Sequence, residues 1–216
     1  MSEFVGADHM FQEARYAREW ADRFVPTPER LKLFDTIITN LCDSALPGRH
    51  IVELGVGPGY LASRILDRIS DVTYEGLDFS GAMLDIASDS LSRYSSRVRV
   101  RQIDLLQDEW TAEDRPEVGA IVSTWTLHDL GGEANTAKVY RGCRLVLPTD
   151  GVLLNGDFVK PDGASQEFEA GRFEVSRHLE LLQEVGFRDV QCLVFLEKEL
   201  KDPTPAKNYA CFRAVA

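Results

Sequence analysis

The chain has 216 residues, 44% of them hydrophobic and only 9 proline, which allows an ordinary buried core and excludes a disordered acidic tail. Its length suits one domain. With 24 Lys and Arg against 35 Asp and Glu, the net charge of −11 works against a polyanionic partner, whose phosphates need a surplus of basic side chains on one face.

The first 48 residues are helical in character. Tyr16, Trp20 and Phe24 recur every fourth position, an aromatic stripe on one helix. Pro26 and Pro28 interrupt it, and Pro28 opens a second helix over 29–45, rich in Leu and Ile. Residues 1–48 therefore read as a helical cap that packs as core and covers a site in part, with the main domain over 49–216. From residue 49, short apolar runs at 49–54, 73–78, 97–103, 118–124 and 151–159 alternate with stretches of helical spacing. Leu61, Ile65 and Ile69 share one helix face, as do Met83, Leu84, Ala87 and Leu91, with Asp78 and Ser80 as helix starters. A further helix begins near Glu133. Such alternation calls for βαβ units and a mostly parallel sheet.

The third strand alternates Arg97, Arg99 and Arg101 with Val98 and Val100. One charged and one apolar face fit an edge strand, where charge discourages association; the functional alternative is a phosphate-binding stripe. After a helix over 175–186, closed by Gly186, come segments 188–199 and 207–215. Their connector is too short for a crossover helix, so the two are antiparallel neighbours.

No stretch approaches the ~20 apolar residues of a membrane span, and MSEFVGADHM lacks the basic and apolar regions of a secretory leader. The four cysteines, Cys42, Cys143, Cys192 and Cys211, are scattered, with no CxxC or Cys/His cluster, so neither a metal site nor a disulfide framework is expected. These features read as a cytoplasmic protein without membrane association, and they carry no mark of a particular oligomeric state.

Chemistry is most visible in the segment Val52-Glu53-Leu54-Gly55-Val56-Gly57-Pro58-Gly59-Tyr60, which follows a strand and opens a helix. A dinucleotide loop wants its third glycine at position 60, but Tyr stands there and the third glycine is Gly59. That spacing is not built for a pyrophosphate. Asp78 ends the next strand, where a carboxylate can accept from both hydroxyls of a ribose. Asp104 ends the third strand, where it can accept from an exocyclic amino group of adenine while the Leu105 backbone meets a ring nitrogen. Three such features at consecutive strand ends lie on the edge where open α/β sheets bind ligands.

ELGVGPG, followed by GLDFSGAML and QIDLL, resembles the class I methyltransferase family, which binds S-adenosylmethionine. The resemblance covers residues 49–216, including the terminal hairpin. It implies an α/β fold: a three-layer αβα sandwich whose seven-stranded, mostly parallel sheet ends in a C-terminal antiparallel hairpin, here beneath the N-terminal helical cap. By position, Glu53, Gly55, Gly57 and Gly59 match the loop at the methionine portion of the donor. Asp78 matches the ribose carboxylate, Phe79 and Met83 flank the adenine, and Asp104 and Leu105 match the adenine-contacting pair.

In this family the segment Ser123-Thr124-Trp125-Thr126-Leu127-His128-Asp129-Leu130 lies beside the transferred methyl and the acceptor. It lacks the Asn/Asp-Pro-Pro-aromatic motif of enzymes that methylate exocyclic or amide nitrogens, and resembles small-molecule methyltransferases with a His after strand four. Thr124 then belongs to the donor site and Trp125 to the acceptor. His128 is the candidate base, since its unperturbed pKa of ~6.5 suits proton abstraction near neutrality; its alternative role is to organise the loop. His9, His50 and His178 have no comparable context. Tyr16 and Trp20 are expected to exclude water from above. Asp157, Glu167, Glu169 and Glu174 either favour a cationic acceptor or form a solvated face. The expected activity is methyl transfer from S-adenosylmethionine to a small-molecule acceptor by in-line displacement, leaving S-adenosylhomocysteine. The alternatives are an enzyme that modifies an RNA nucleotide, with Arg93, Arg97, Arg99 and Arg101 as its basic cluster, and a donor-binding module without turnover.

Overall fold

The computed structural model describes residues 9–112, 114–164, 168–199, 204 and 206–216. Seven strands form one sheet: β1 (His50–Leu54), β2 (Thr73–Asp78), β3 (Val98–Gln102), β4 (Val118–Thr124), β5 (Val152–Phe158), β6 (Arg188–Leu196) and β7 (Tyr209–Val215). Their order is β3-β2-β1-β4-β5-β7-β6. All pairs are parallel except those made by β7, which runs antiparallel to β5 and β6. Strands β1 and β4 are buried along their whole length, as apolar central strands must be. The chain moves outward from β1 to β3 and then returns to β4, so the order reverses beside β1. That reversal opens a crevice at the carboxyl ends of the central strands.

Six helices cover the sheet: α1 (Ala14–Arg23), α2 (Pro28–Asp43), α3 (Tyr60–Arg68), α4 (Gly81–Ser90), α5 (Glu133–Val146) and α6 (Val175–Glu184). Their ends follow side-chain chemistry. The Thr27 hydroxyl accepts from Arg30 N at the start of α2, with Pro28 in the first turn, and Ser80 caps α4 by accepting from Met83 N. Gly186, at φ +95°, ends α6 while its N–H donates to Gln183 O.

Two apolar clusters fill the layers. One joins α5 and α6 to the sheet through residues such as Tyr140, Leu181 and Phe212. The other holds α2, α3 and α4, with Leu33, Phe34 and Ile37 beside Ile51 and Val122. The two N-terminal helices thus differ: α2 lies in the core, whereas α1 buries only Ala17 and Ala21.

The arginines of β3 do sit on an edge strand, but they face inward charge rather than solvent alone. Arg99 Nε and Arg101 reach Glu75 on β2, a carboxylate 1% exposed, at 3.1 and 3.4 Å, and Arg115 Nε approaches it at 3.1 Å. Arg97 donates to the carbonyls of Leu66, Ile69 and Val72, and Arg93 pairs with Asp67. A buried carboxylate without such partners would be costly. Among the described residues no helix is long and apolar enough to cross a membrane.

Candidate functional site

The three glycines after β1 have three separate causes. Gly55, at φ +69°, packs so closely that a Cβ would overlap the Thr126 side chain. Gly57, at φ +49°, has open space where a Cβ would stand, and that space belongs to the crevice. Gly59, at φ +85°, is the N-cap of α3 and lies against Leu91, off the crevice wall. The loop is therefore shaped to bring backbone up to a ligand at Gly57, with the other two glycines making that approach possible.

Asp78 locks this loop to β2. Its Oδ2 accepts from Gly57 N at 2.8 Å and its Oδ1 from Ser80 N at 3.0 Å. Burial pushes its carboxyl up to about 6, against the pull of the Ser80 and Gly57 N–H groups. A carboxylate has roughly four lone-pair sites, so two further donors can be accepted. Glu53, also facing the crevice, receives the Tyr74 hydroxyl at 2.8 Å, and burial pushes it up to about 8. Phe79, Met83 and Leu105 form an apolar slot beside Asp78. Asp104 lines it too, yet two residues beyond the end of β3, where Oδ1 accepts from Leu106 N at 2.8 Å and caps a turn.

Across the crevice β4 ends in Thr124, and Trp125 follows in a left-handed conformation, φ +48°, uncommon for a bulky residue. Its buried indole N–H has no hydrogen-bond partner among the described residues. Strain of this kind persists only where the surroundings impose it. The next turn, Leu127–Leu130, carries His128. His128 Nδ1 lies 2.7 Å from Asp157 Oδ1, and Asp157 Oδ2 accepts from Leu127 N and His128 N at 2.8 and 3.1 Å. Phe158 N donates to the same carboxylate at 2.8 Å. Burial lowers the His128 imidazole, but the charge and hydrogen bond of Asp157 outweigh it, so its pKa is raised overall. The same pairing holds Asp157 below its ordinary value despite complete burial. Asp129 Oδ1 stands 3.3 Å from His128 Nε2. Gly171 packs against this turn so tightly that a Cβ would overlap the His128 carbonyl.

The two sides meet in one cavity of about 420 Å³. Phe11, Trp20 and Phe24 roof it. The roof is tied to the loop beside Asp78: Gln12 Nε2 donates to Phe79 O at 3.0 Å, Ser80 Oγ donates to Phe11 O, and Tyr60 Oη donates to Ala21 O at 2.7 Å.

Of the residues read from sequence, Glu53, Gly55, Gly57, Asp78, Phe79 and Met83 line the cavity on one side. Asp104, Leu105, Thr124, Trp125, His128 and Trp20 complete the set. Tyr16 does not line it; it stands behind Phe11, ring centroids 5.5 Å apart. Asp157 is no part of the acceptor wall either, being fully buried beneath His128. Glu169 and Glu174 are paired with Arg172 and Lys160, and Glu167 lies outside the described residues. Sequence reasoning missed Phe11, Arg30, Phe34, Phe158 and Arg172 on the walls. They come from four separate segments, and only the fold reveals that they meet.

Residues 51–151 match a family described as a methyltransferase domain. Indolepyruvate C-methyltransferase of Streptomyces griseus is 28% identical over 140 residues, which are 64% of this chain and 41% of that protein. The chain thus spans about two fifths of the length of this relative. Among solved structures, an O-methyltransferase family protein from Burkholderia thailandensis superposes with a TM-score of 0.70 at 13% identity, over 96% of this chain and 63% of the other. Human N-acetylserotonin methyltransferase, solved in complex with SAM, superposes with a TM-score of 0.68 at 14% identity, over 98% and 60%. At these identities the structures speak for the fold, which is that of class I methyltransferases. The matched segment and the fold bear out the family resemblance.

Proposed function

Since residues 51–151 match a methyltransferase domain, we propose that the chain transfers a methyl group from S-adenosylmethionine to a small-molecule acceptor. One observation carries the reading: His128, held by Asp157, opens into the same cavity as the Gly57–Asp78 loop.

The residues fit the donor. The open space at Gly57 admits a ligand where any side chain would intrude, Asp78 has acceptor capacity left for ribose hydroxyls, and Phe79, Met83 and Leu105 offer apolar contact to a flat base. Glu53, at the head of the loop, faces the donor's amino-acid portion, where a cationic amino group would favour its ionised form. S-adenosylmethionine, when bound, supplies a methyl group on a cationic sulfur that is open to in-line displacement.

The chain's own residues then position and deprotonate. With Nδ1 committed to Asp157, proton uptake from the acceptor falls to His128 Nε2. Asp157 fixes the tautomer and stabilises the imidazolium once the proton has moved, and Asp129 can accept from the new Nε2–H. Phe11, Trp20 and Phe24 exclude water, so donor and acceptor are held together in a dry space. A hydroxyl or an enolisable carbon can serve as the acceptor; the name of the Streptomyces relative supports the latter.

RNA modification is not favoured, because Arg93, Arg97, Arg99 and Arg101 are all engaged with the protein's own carboxylates and carbonyls. Calorimetry with S-adenosylhomocysteine and with NAD tests the donor assignment. Binding of the first and none of the second is expected; the reverse would overturn it.

A further inference from the structure

We propose that Arg30 anchors a carboxylate on the acceptor, making the acceptor a planar aromatic acid. The inference rests on the methyltransferase reading for the meaning of "acceptor" and adds the substrate class.

The half of the cavity beyond β4 is walled by rings. Trp125 packs against Phe34 and Phe158, centroids 5.6 and 6.4 Å apart, and Phe24 lines the same cavity. An aromatic wall of this kind accepts the face of a flat, apolar body. Arg30 reaches this wall from α2, its guanidinium carbon 5.4 Å from the Phe24 centroid and 5.3 Å from that of Trp125. Contact with two rings holds the guanidinium and its N–H donors at this wall. Among the described residues those donors meet no carboxylate and no carbonyl. The other arginine on the cavity wall differs, since Arg172 is paired with Glu169. In a chain of net charge −11, a guanidinium that lines a cavity and has no acidic partner among the described residues marks a place for an anion from outside. The fork geometry matches a carboxylate bidentately.

Position separates this anion from the donor. Glu53, Gly57 and Asp78 sit at the ends of β1 and β2, whereas Arg30 stands over Trp125 at the end of β4, whose ring is 5.8 Å from Tyr209 on β7. A cationic acceptor fits poorly. The ring faces that would bind it are already taken by Arg30, and the nearby carboxylates of Asp157 and Glu169 are held by His128 and Arg172. A neutral acceptor would offer the guanidinium no charge partner.

The test is calorimetry on the protein loaded with S-adenosylhomocysteine, using 4-hydroxycinnamate, 3,4-dihydroxybenzoate and 4-hydroxyphenylpyruvate, each against its amide. Acids are expected to bind about tenfold or more tightly than amides, as for a hydrogen-bonded charge pair. In Arg30→Met, which keeps the stem and loses the fork, the preference should fall to about twofold while affinity for S-adenosylhomocysteine stays within about threefold. Acids that bind no better than amides, or an acid preference that survives in Arg30→Met, overturn the proposal. So does a tenfold or greater loss of S-adenosylhomocysteine affinity in that variant, which would assign Arg30 to the donor. If S-adenosylhomocysteine binds neither protein, the methyltransferase reading fails, and the acid–amide comparison on the unloaded protein still decides the role of Arg30.

Discussion

The two halves of the cavity are built differently. The half over β1 to β3 is made of backbone: glycines in left-handed conformations, N–H groups turned onto Asp78, and residues at the strand ends or in the first turns beyond them. The half over β4 to β7 is made of side chains drawn from distant segments: Phe24, Arg30, Phe34, Trp125, His128 and Phe158. Backbone shape imposes residue types at fixed spacing, so the first half carries a motif. Side-chain walls can be assembled in many ways, so the second can change its ligand without changing the fold.

If the halves divide the work in this way, mutations should separate them. The largest effect is expected on the side-chain half. His128→Ala should lower turnover by about 10²–10⁴-fold while leaving donor affinity nearly unchanged. Equal losses in both would mean that the halves are coupled. Asp157→Asn adds a readout in pH. The raised pKa of His128 means that its basic form appears only as pH climbs above 6.5, so kcat/KM should rise with pH along that limb. Removing the negative charge that raises it should move the limb to lower pH, and a limb that does not move would detach Asp157 from the base.

On the backbone half, Asp78→Ala should weaken donor binding by about tenfold or more with little change in acceptor binding, checked by titration with S-adenosylhomocysteine. Glu53 supplies a stability test. Its folded pKa of about 8 lies above the ordinary 4.5, so the folded state keeps a proton that the unfolded state loses. The stability this gives is full below pH 4.5 and is lost as pH rises to about 8. Glu53→Gln should therefore be more stable than the parent at pH 9, by an amount on the order of a few kcal/mol, and gain little at pH 4.5. Urea midpoints at the two pH values measure this. The smallest effect follows from Asp78, whose pKa of about 6 predicts donor affinity that declines gently as pH falls below 6.

The same contrast explains what could be read in the sequence. Strand and helix periodicity located all seven strands, and the short connector before β7 showed its antiparallel pairing, because both are local properties of the chain. Glu53, Gly57 and Asp78 were legible for the same reason. Asp157 was legible as a polar residue at a strand end, but a sequence does not say which neighbour it faces, and it faces His128. The charged stripe of β3 signalled an edge and hid the buried Glu75 it serves, since that contact crosses from strand to strand. Tyr16 had helical spacing in its favour, whereas Phe11, which does roof the cavity, precedes α1 and belongs to no periodic pattern. Arg30 stood between Glu29 and Leu31 in the first turns of α2, beside Lys32, with no motif to set it apart.

The central claim is that one cavity joins a donor site to the His128–Asp157 base. Its most direct test is transfer of label from methyl-labelled S-adenosylmethionine into a small-molecule extract, by the parent protein and by His128→Ala. A labelled small-molecule product is predicted with the parent and its loss in the variant, with S-adenosylhomocysteine still bound by both. Donor binding without any labelled product, or equal transfer by the two proteins, would contradict it.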